Sequence, residues 1–239
     1  EQLDALARHC GAVALSLEGV GDNFSLRRRQ GFAVFEEQVA RLRHAGIKLV
    51  LQITLSAENC DELPEMVDYA LGVESLYGVI FLAHKPAGRG VRFDSPLSGR
   101  PFASVYPHVI EAVHRLRAHT QVGFDCCLSP LLTALEQDLG FPPMGIVEGC
   151  SATRGSLGLT VDLDCVPCTF LPEQPLGNLR RDSLLDIWRG YQSRRFRQGQ
   201  AAFLERDARC AGCGVNSVCL GGCPVWDLVG CRHAERPAA

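Results

Sequence analysis

Apolar residues take every second place along residues 47–55, as Ile47, Leu49, Leu51, Ile53 and Leu55. A period of two predicts a strand. Short apolar runs at 13–17, 77–83 and 122–124 predict three more. Between them the period becomes helical. Phe32, Phe35, Val39 and Leu42 form one stripe, closed by Gly46. Leu63, Met66, Val67 and Ala70 form a second, and Val109, Ile110, Val113 and Leu116 a third. Asn59, with Glu62 three residues on, reads as a capping box at the start of the second helix. Strands and helices alternating at this pace predict an α/β fold with βα units on a parallel sheet. Four strands are half of an eight-stranded barrel, or a small open sheet.

After Ser129 the pattern changes. Residues 131–139 predict one more helix. From Gly145 onward the chain is rich in Gly, Pro and Cys, with a short helix at 183–191 carrying Leu184, Leu185, Ile187 and Trp188. Such a stretch cannot build much apolar core and needs cross-links or metals. The boundary is therefore expected near residue 140, giving domains 1–140 and 141–239.

Composition narrows the function classes. With 46% hydrophobic and 21% charged residues, the 239-residue chain is globular rather than disordered. A net charge of -3 gives no pull toward nucleic acid. No run approaches the roughly 20 apolar residues of a membrane span, and no signal-peptide pattern is visible before the first strand. The twelve cysteines change the picture most. Eight crowd toward the C-terminal end, from residue 150 onward: Cys150, Cys165, Cys168, Cys210, Cys213, Cys219, Cys223 and Cys231. In a chain without a signal peptide the expected compartment is reducing, the cytoplasm, where clustered thiols are metal ligands first. Cys210 and Cys213 form a CxxC, five residues precede Cys219, three separate it from Cys223, and seven more lead to Cys231. Gly212, Gly214, Gly221 and Gly222 supply the turns. Five cysteines exceed one tetrahedral centre, so two centres are expected, with Cys150, Cys165 and Cys168 supplying the remainder. Thiolates suit zinc and iron–sulfur clusters alike.

The run CxxCx5CxxxC followed by a distant Cys resembles the second half of the SPASM signature, the C-terminal domain of many radical S-adenosylmethionine enzymes. The first half of that pattern is a Cys, nine to fifteen residues, a Gly, four residues and a Cys. Here Cys150 is followed by twelve residues, Leu163, four residues and Cys168, so the spacing agrees while Leu163 replaces the glycine. Pro175-Leu-Gly-Asn-Leu-Arg180 and Ser183-Leu-Leu-Asp-Ile-Trp188 are similar to the family's link. Ser16-Leu17-Glu18-Gly19 resembles the Ser-x-Asp-Gly ending the fourth barrel strand, Thr54 to Asn59 the end of the fifth, and Pro86-Ala-Gly-Arg-Gly90 the segment after the sixth. The resemblance implies the C-terminal part of a partial (β/α)6 TIM-like barrel followed by a small SPASM domain. The family's CxxxCxxC motif, which holds the S-adenosylmethionine-binding [4Fe–4S] cluster, is not in these residues. It is expected upstream of Glu1, in a longer protein.

The resemblance also implies ligands. One auxiliary [4Fe–4S] cluster would use Cys210, Cys213, Cys219 and Cys231. A second would use Cys150, Cys168 and Cys223, with Cys127, Cys126, Cys165 or an open iron site as the fourth position. Ser16, Glu18 and Arg28 would contact S-adenosylmethionine, Arg28 chosen over Arg27 and Arg29 on spacing. The full-length protein would be an oxidoreductase that abstracts hydrogen from a peptide or protein through a 5′-deoxyadenosyl radical. It would draw electrons from a flavodoxin or ferredoxin, with no nucleic acid or membrane partner. Alternatives are a relative acting on a small molecule or tetrapyrrole, and a non-catalytic iron–sulfur or zinc-binding scaffold. Blander expectations hold elsewhere: packed or surface thiols at Cys10 and Cys60, a structural His84, a solvated helix end at Arg194, Arg195 and Arg197, core packing by Trp188 and Trp226, and a turn cap at Asp227.

Overall fold

The structure, a computed structural model, describes residues 2–92, 97, 102–139, 149–224, 231 and 233. It divides into two compact units, Glu1–Asp125 and Cys126–Ala239.

The first unit is a parallel sheet of β1 (Val13–Ser16), β2 (Leu49–Leu55), β3 (Gly78–Ala83) and β4 (Gln121–Phe124), in that order. Helices α1 (Gln2–His9), α2 (Asp22–Arg28), α3 (Phe32–His44), α4 (Leu63–Gly72) and α5 (Phe102–Leu116) precede and connect the strands. The four predicted strands are present, and the register explains their pattern. Leu15, Leu51, Val79 and Val122 stand side by side across the sheet, followed by Ile53, Phe81 and Phe124. Leu51, Ile53, Val79 and Phe81 are fully buried. Phe35, Val39 and Leu42 of α3, Met66 and Val67 of α4, and Val109 and Leu116 of α5 are buried as the helical stripes require. Phe24 of α2, a helix the periodicity did not show, packs its ring 4.8 Å from that of Phe35. On the alternate face Ser16, Gln52, Ile80 and Gly123 share a row, followed by Thr54 and Leu82. This row is only half-buried, and it is the one carrying polar chemistry.

The capping box does not form. Asn59 is buried, but its Oδ1 accepts from the Ser56 N–H at 2.8 Å and its Nδ2 donates to the Thr54 carbonyl at 2.9 Å. Its side chain makes no cap bond to the 3₁₀ turn Cys60–Glu62 that leads into α4. Glu62 pairs with Arg27 instead. Local spacing suggested a helix cap; a tertiary ion pair took the partner.

The second unit begins earlier than residue 140, because α6 (Ser129–Leu139) packs with the cysteine-rich segment. The Ser129 hydroxyl donates to the Cys219 carbonyl at 3.1 Å. Beyond α6 lies a small antiparallel sheet of β5 (Gly158–Leu159), β6 (Asp164–Val166) and β7 (Gly177–Asn178). It is too short to read from periodicity. Asn178 ties it together, donating to Asp164 Oδ1 at 2.7 Å and to the Asp162 carbonyl at 3.0 Å. Helix α7 (Leu184–Arg189) is capped by Ser183, whose oxygen accepts from the Asp186 N–H at 3.1 Å. Of its four predicted apolar contacts only Ile187 is buried; Leu184 and Leu185 are exposed and Trp188 is half-buried.

Helix α8 (Tyr191–Arg206) is the largest departure from the expected irregular region. Arg and Gln dominate its sequence, so no apolar stripe shows, and tertiary contacts hold it. Arg197 is not a solvated helix end. Its Nη1 donates to the Thr153 carbonyl at 2.7 Å and its Nη2 to the Trp188 carbonyl at 3.2 Å. A last short helix, α9, spans Asn216–Cys219. Trp226, Asp227, Met144 and Gly145 lie outside the described residues. Among the described residues no helix is long and apolar enough to cross a membrane.

Leu163, standing where the resembled pattern has glycine, adopts φ 67°. The backbone keeps the left-handed conformation at a leucine, at a cost of roughly 1–2 kcal/mol. Leu163→Gly is therefore expected to raise stability by about 0.5–1 kcal/mol, the relief of strain exceeding the entropy added to the unfolded chain. Chemical denaturation reads the effect, and a lower midpoint would contradict it. Gly149 is the opposite case. A Cβ there would stand 2.3 Å from the Cys219 carbonyl oxygen and 2.8 Å from its carbon, both backbone atoms. Gly149→Ala should lose about 1–3 kcal/mol by the same measurement.

Candidate functional sites

The first site lies at the C-terminal ends of the parallel strands. Ser16 is the last residue of β1 and pairs with Gln52. Two residues on, Glu18 is largely buried, its side chain 14% exposed. The Thr54 hydroxyl donates to its Oε1 at 3.4 Å. Its Oε2 is buried without a hydrogen bond and faces Arg28 Nε at 3.4 Å as an ion pair. Burial pushes the Glu18 carboxyl up, and Arg28, Thr54 and Arg27 oppose that in decreasing order.

The three arginines have separate roles. Arg27 makes paired bonds of 2.6 Å to both oxygens of Glu62 and donates from Nη1 to the Glu18 carbonyl at 2.9 Å. It is a brace. Arg28, 44% exposed, is the arginine at the Glu18 carboxylate. Arg29 ends α2 with φ 53°. Asn59 Nδ2 also reaches the Glu18 carbonyl, at 3.3 Å. The turn after β1 is thus held by two side chains and leaves the carboxylate itself lightly satisfied. An ion pair of Lys85 with Asp125 adds to this end of the sheet. It was missed by sequence reading, although the two residues come just after β3 and β4. His84 continues the ladder, its N–H donating to the Leu55 carbonyl at 2.7 Å.

The second site is the cysteine group. None of the described cysteines is in a disulfide. Cys210, Cys213, Cys219 and Cys231 line one cavity of about 90 Å³, with Arg209 and Asn216. Their mutual proximity shows in their acidities. Burial, then Asp207, Cys219, Cys231 and Cys213, push the Cys210 thiol up to about 11. Cys231 is raised by burial, Cys219 and Cys213, against the His233 N–H, which donates to its sulfur at 3.3 Å. Cys219 is raised by burial, against hydrogen bonds from the Gly222 N–H, the Ser129 hydroxyl and the Gly221 N–H. Those amides are presented by a left-handed turn, with φ of 56° at Leu220, 73° at Gly221 and 74° at Gly222. Gly212 inside the CxxC has φ 75°, while Gly214 has no positive φ. Among the described residues no group of three His, Cys, Asp or Glu side chains is gathered as for a metal ion. Cysteines lining one cavity, with amides directed at the Cys219 and Cys231 sulfurs, have donor chemistry that suits an iron–sulfur cluster.

The other thiols are placed differently. Cys150 is buried, accepts from the Ala152 N–H and stands near Cys168, which raises it further. Cys223 lines a second cavity with Gln200 and Phe203. Cys165 is buried in β6, paired with Leu159 and Gly177, and is pushed up by burial and Asp164. Cys127 is buried in the 3₁₀ turn Cys126–Leu128; Cys126 beside it is exposed. Cys60 is buried and Cys10 exposed.

The SPASM family, an iron–sulfur cluster-binding domain, matches residues 150–214. No curated protein matches the sequence. Among solved structures, SuiB from Streptococcus suis bound to S-adenosylmethionine aligns with a TM-score of 0.64 at 18% identity, over 93% of this chain and 52% of SuiB. SuiB bound to its precursor peptide SuiA gives 0.63 at 17%, over 98% and 55%. anSMEcpe with bound S-adenosylmethionine gives 0.60 at 16%, over 99% and 64%. The chain thus spans about half the length of SuiB. At these identities the likeness is one of fold. Residues 150–214 thus carry a SPASM iron–sulfur cluster-binding domain, and the parallel β/α unit before it shares the fold of these proteins.

Proposed function

We propose that the chain is the part of a radical S-adenosylmethionine maturase that shapes one side of the cofactor pocket and carries two auxiliary [4Fe–4S] clusters. The observation that carries this is the convergence of Cys210, Cys213, Cys219 and Cys231 on one cavity. Such clusters supply one-electron chemistry, accepting or relaying the electron released as product forms. The chain's own residues do the rest. Burial and the amides aimed at Cys219 and Cys231 would set the potential of the cluster held by Cys210, Cys213, Cys219 and Cys231. Cys150, Cys168 and Cys223 would hold the other. At the strand ends, Ser16, Glu18 and Arg28 would bind the polar groups of S-adenosylmethionine. The lone Glu18 Oε2 suits a hydroxyl or ammonium donor.

A peptide or protein is the proposed substrate. Two of the proteins that share this fold, SuiB and anSMEcpe, are solved with the peptides SuiA and Cp18Cys. Cytoplasmic residence and a flavodoxin or ferredoxin donor complete the proposal.

The primary test is iron, acid-labile sulfide and zinc per chain on protein made and kept anaerobic. About eight iron and eight sulfide are expected for two [4Fe–4S] clusters, with Cys210→Ser losing about half of both. Stoichiometric zinc without sulfide would make the chain a structural zinc module instead.

Glu18 gives a second test. Its pKa in the fold is pushed above its ordinary value of 4.5, so its ionised form costs stability at neutral pH. That cost is absent below the ordinary value and complete above the raised one. Glu18→Gln should therefore be more stable than the parent at pH 7 and equal to it near pH 4, read by denaturant titration at both. A variant less stable at pH 7 would show that Arg28 and Thr54 outweigh burial.

A further inference from the structure

The cluster assigned to Cys150, Cys168 and Cys223 has three thiols where its neighbour has four. A residue placed to fill the gap is not a cysteine. Gln200 lies on α8, 6% exposed, and neither its Oε1 nor its Nε2 has a hydrogen-bond partner. Leaving both ends of a buried amide without partners is costly, so a native structure that keeps one calls for a ligand to explain it. Its position says which. The amide stands against Cys150, close enough to favour the thiolate without completing a hydrogen bond to it. Cys168 is beside Cys150, and Gln200 shares the wall of its cavity with Cys223.

The side chain is also held in place. One turn earlier on the same helix face, Arg197 anchors α8 to the Thr153 carbonyl in the loop that follows Cys150. Ser193, fully buried, bonds the Ile187 carbonyl at 2.6 Å. A rigid helix thus presents an unsatisfied amide to a three-thiol set.

We propose that Gln200 supplies the fourth protein contact of the cluster held by Cys150, Cys168 and Cys223, in the place of a fourth cysteine. The inference rests on reading that set as cluster-binding. Cys165, in its sheet, and Cys127 are then structural thiols.

The test uses the full chain, reconstituted anaerobically, as the parent, Gln200→Leu and Gln200→Glu. Iron and sulfide per chain, the EPR spectrum after dithionite reduction, and iron release to a chelator are read on each. Gln200→Leu keeps the bulk and removes both polar ends. It should change one of two superimposed EPR signals and release about half of the iron about tenfold faster, as losses of outer contacts around metal sites do. Gln200→Glu keeps an oxygen at the same reach and should restore slow release while leaving the signal altered. A purely structural role would not move the spectrum of a folded variant. Parental spectra and release rates in both variants overturn the inference and leave the cluster reading intact. A parent that takes up no iron or sulfide overturns the cluster reading itself. Should Gln200→Leu fail to fold, the spectrum of Gln200→Glu decides.

Discussion

Cys219 is the point on which the second unit is tied. Its carbonyl accepts from Ser129 at the start of α6 and from the Gly222 N–H at 3.1 Å. The backbone of Gly149 passes against the same carbonyl, and the Gly149 N–H donates to the Val218 carbonyl beside it at 2.9 Å. Cys219 also lines the cavity it shares with Cys210, Cys213 and Cys231. One residue thus joins the helix before the cysteine-rich region, the loop that carries Cys150 and the four-thiol cavity. A segment with strands of two and three residues has little else to hold it. Burial, with neighbouring sulfurs adding to it, pushes its thiols up, so a metal centre taking them as thiolates would have to displace their protons.

The first unit depends on a division between the two faces of its sheet. One face is satisfied by Leu51, Ile53, Val79 and Phe81, which frees the other for polar work. There the turn after β1 is fixed by Arg27 and Asn59 through the Glu18 carbonyl, while the Glu18 carboxylate keeps a buried oxygen without a hydrogen bond. The backbone is held by two side chains while one carboxylate oxygen is left without a hydrogen bond, the arrangement the proposed binding site at the strand ends requires. The Arg27–Glu62 pair, with both side chains about one-fifth exposed, is worth more as geometry than as stability.

Much of this was legible in the chain. The four strands and the helical stripes of Phe35, Met66 and Val109 show because one face of each is buried, and burial leaves a period. The cysteine spacings pointed to two sets, and the four that line one cavity are the four the SPASM resemblance grouped. Residues that act through distant partners were not legible. Glu62 sat at a cap spacing and bonded Arg27 instead. Arg197 looked like a solvated charge and proved to be an anchor. Helix α8 has no apolar stripe to announce it.

What the sequence determined by itself was the class of fold, through hydrophobic period, and the crowding of thiols at short spacings along a loop-rich segment. Both are local properties, because a period or a CxxC turn involves neighbours in the chain. The tertiary structure alone decided which arginine meets Glu18, which of several glycine-like positions is strained at Leu163, and that Gln200 comes to lie against Cys150. Each depends on segments far apart in the chain meeting within a few ångströms, and no pattern of neighbours carries that distance.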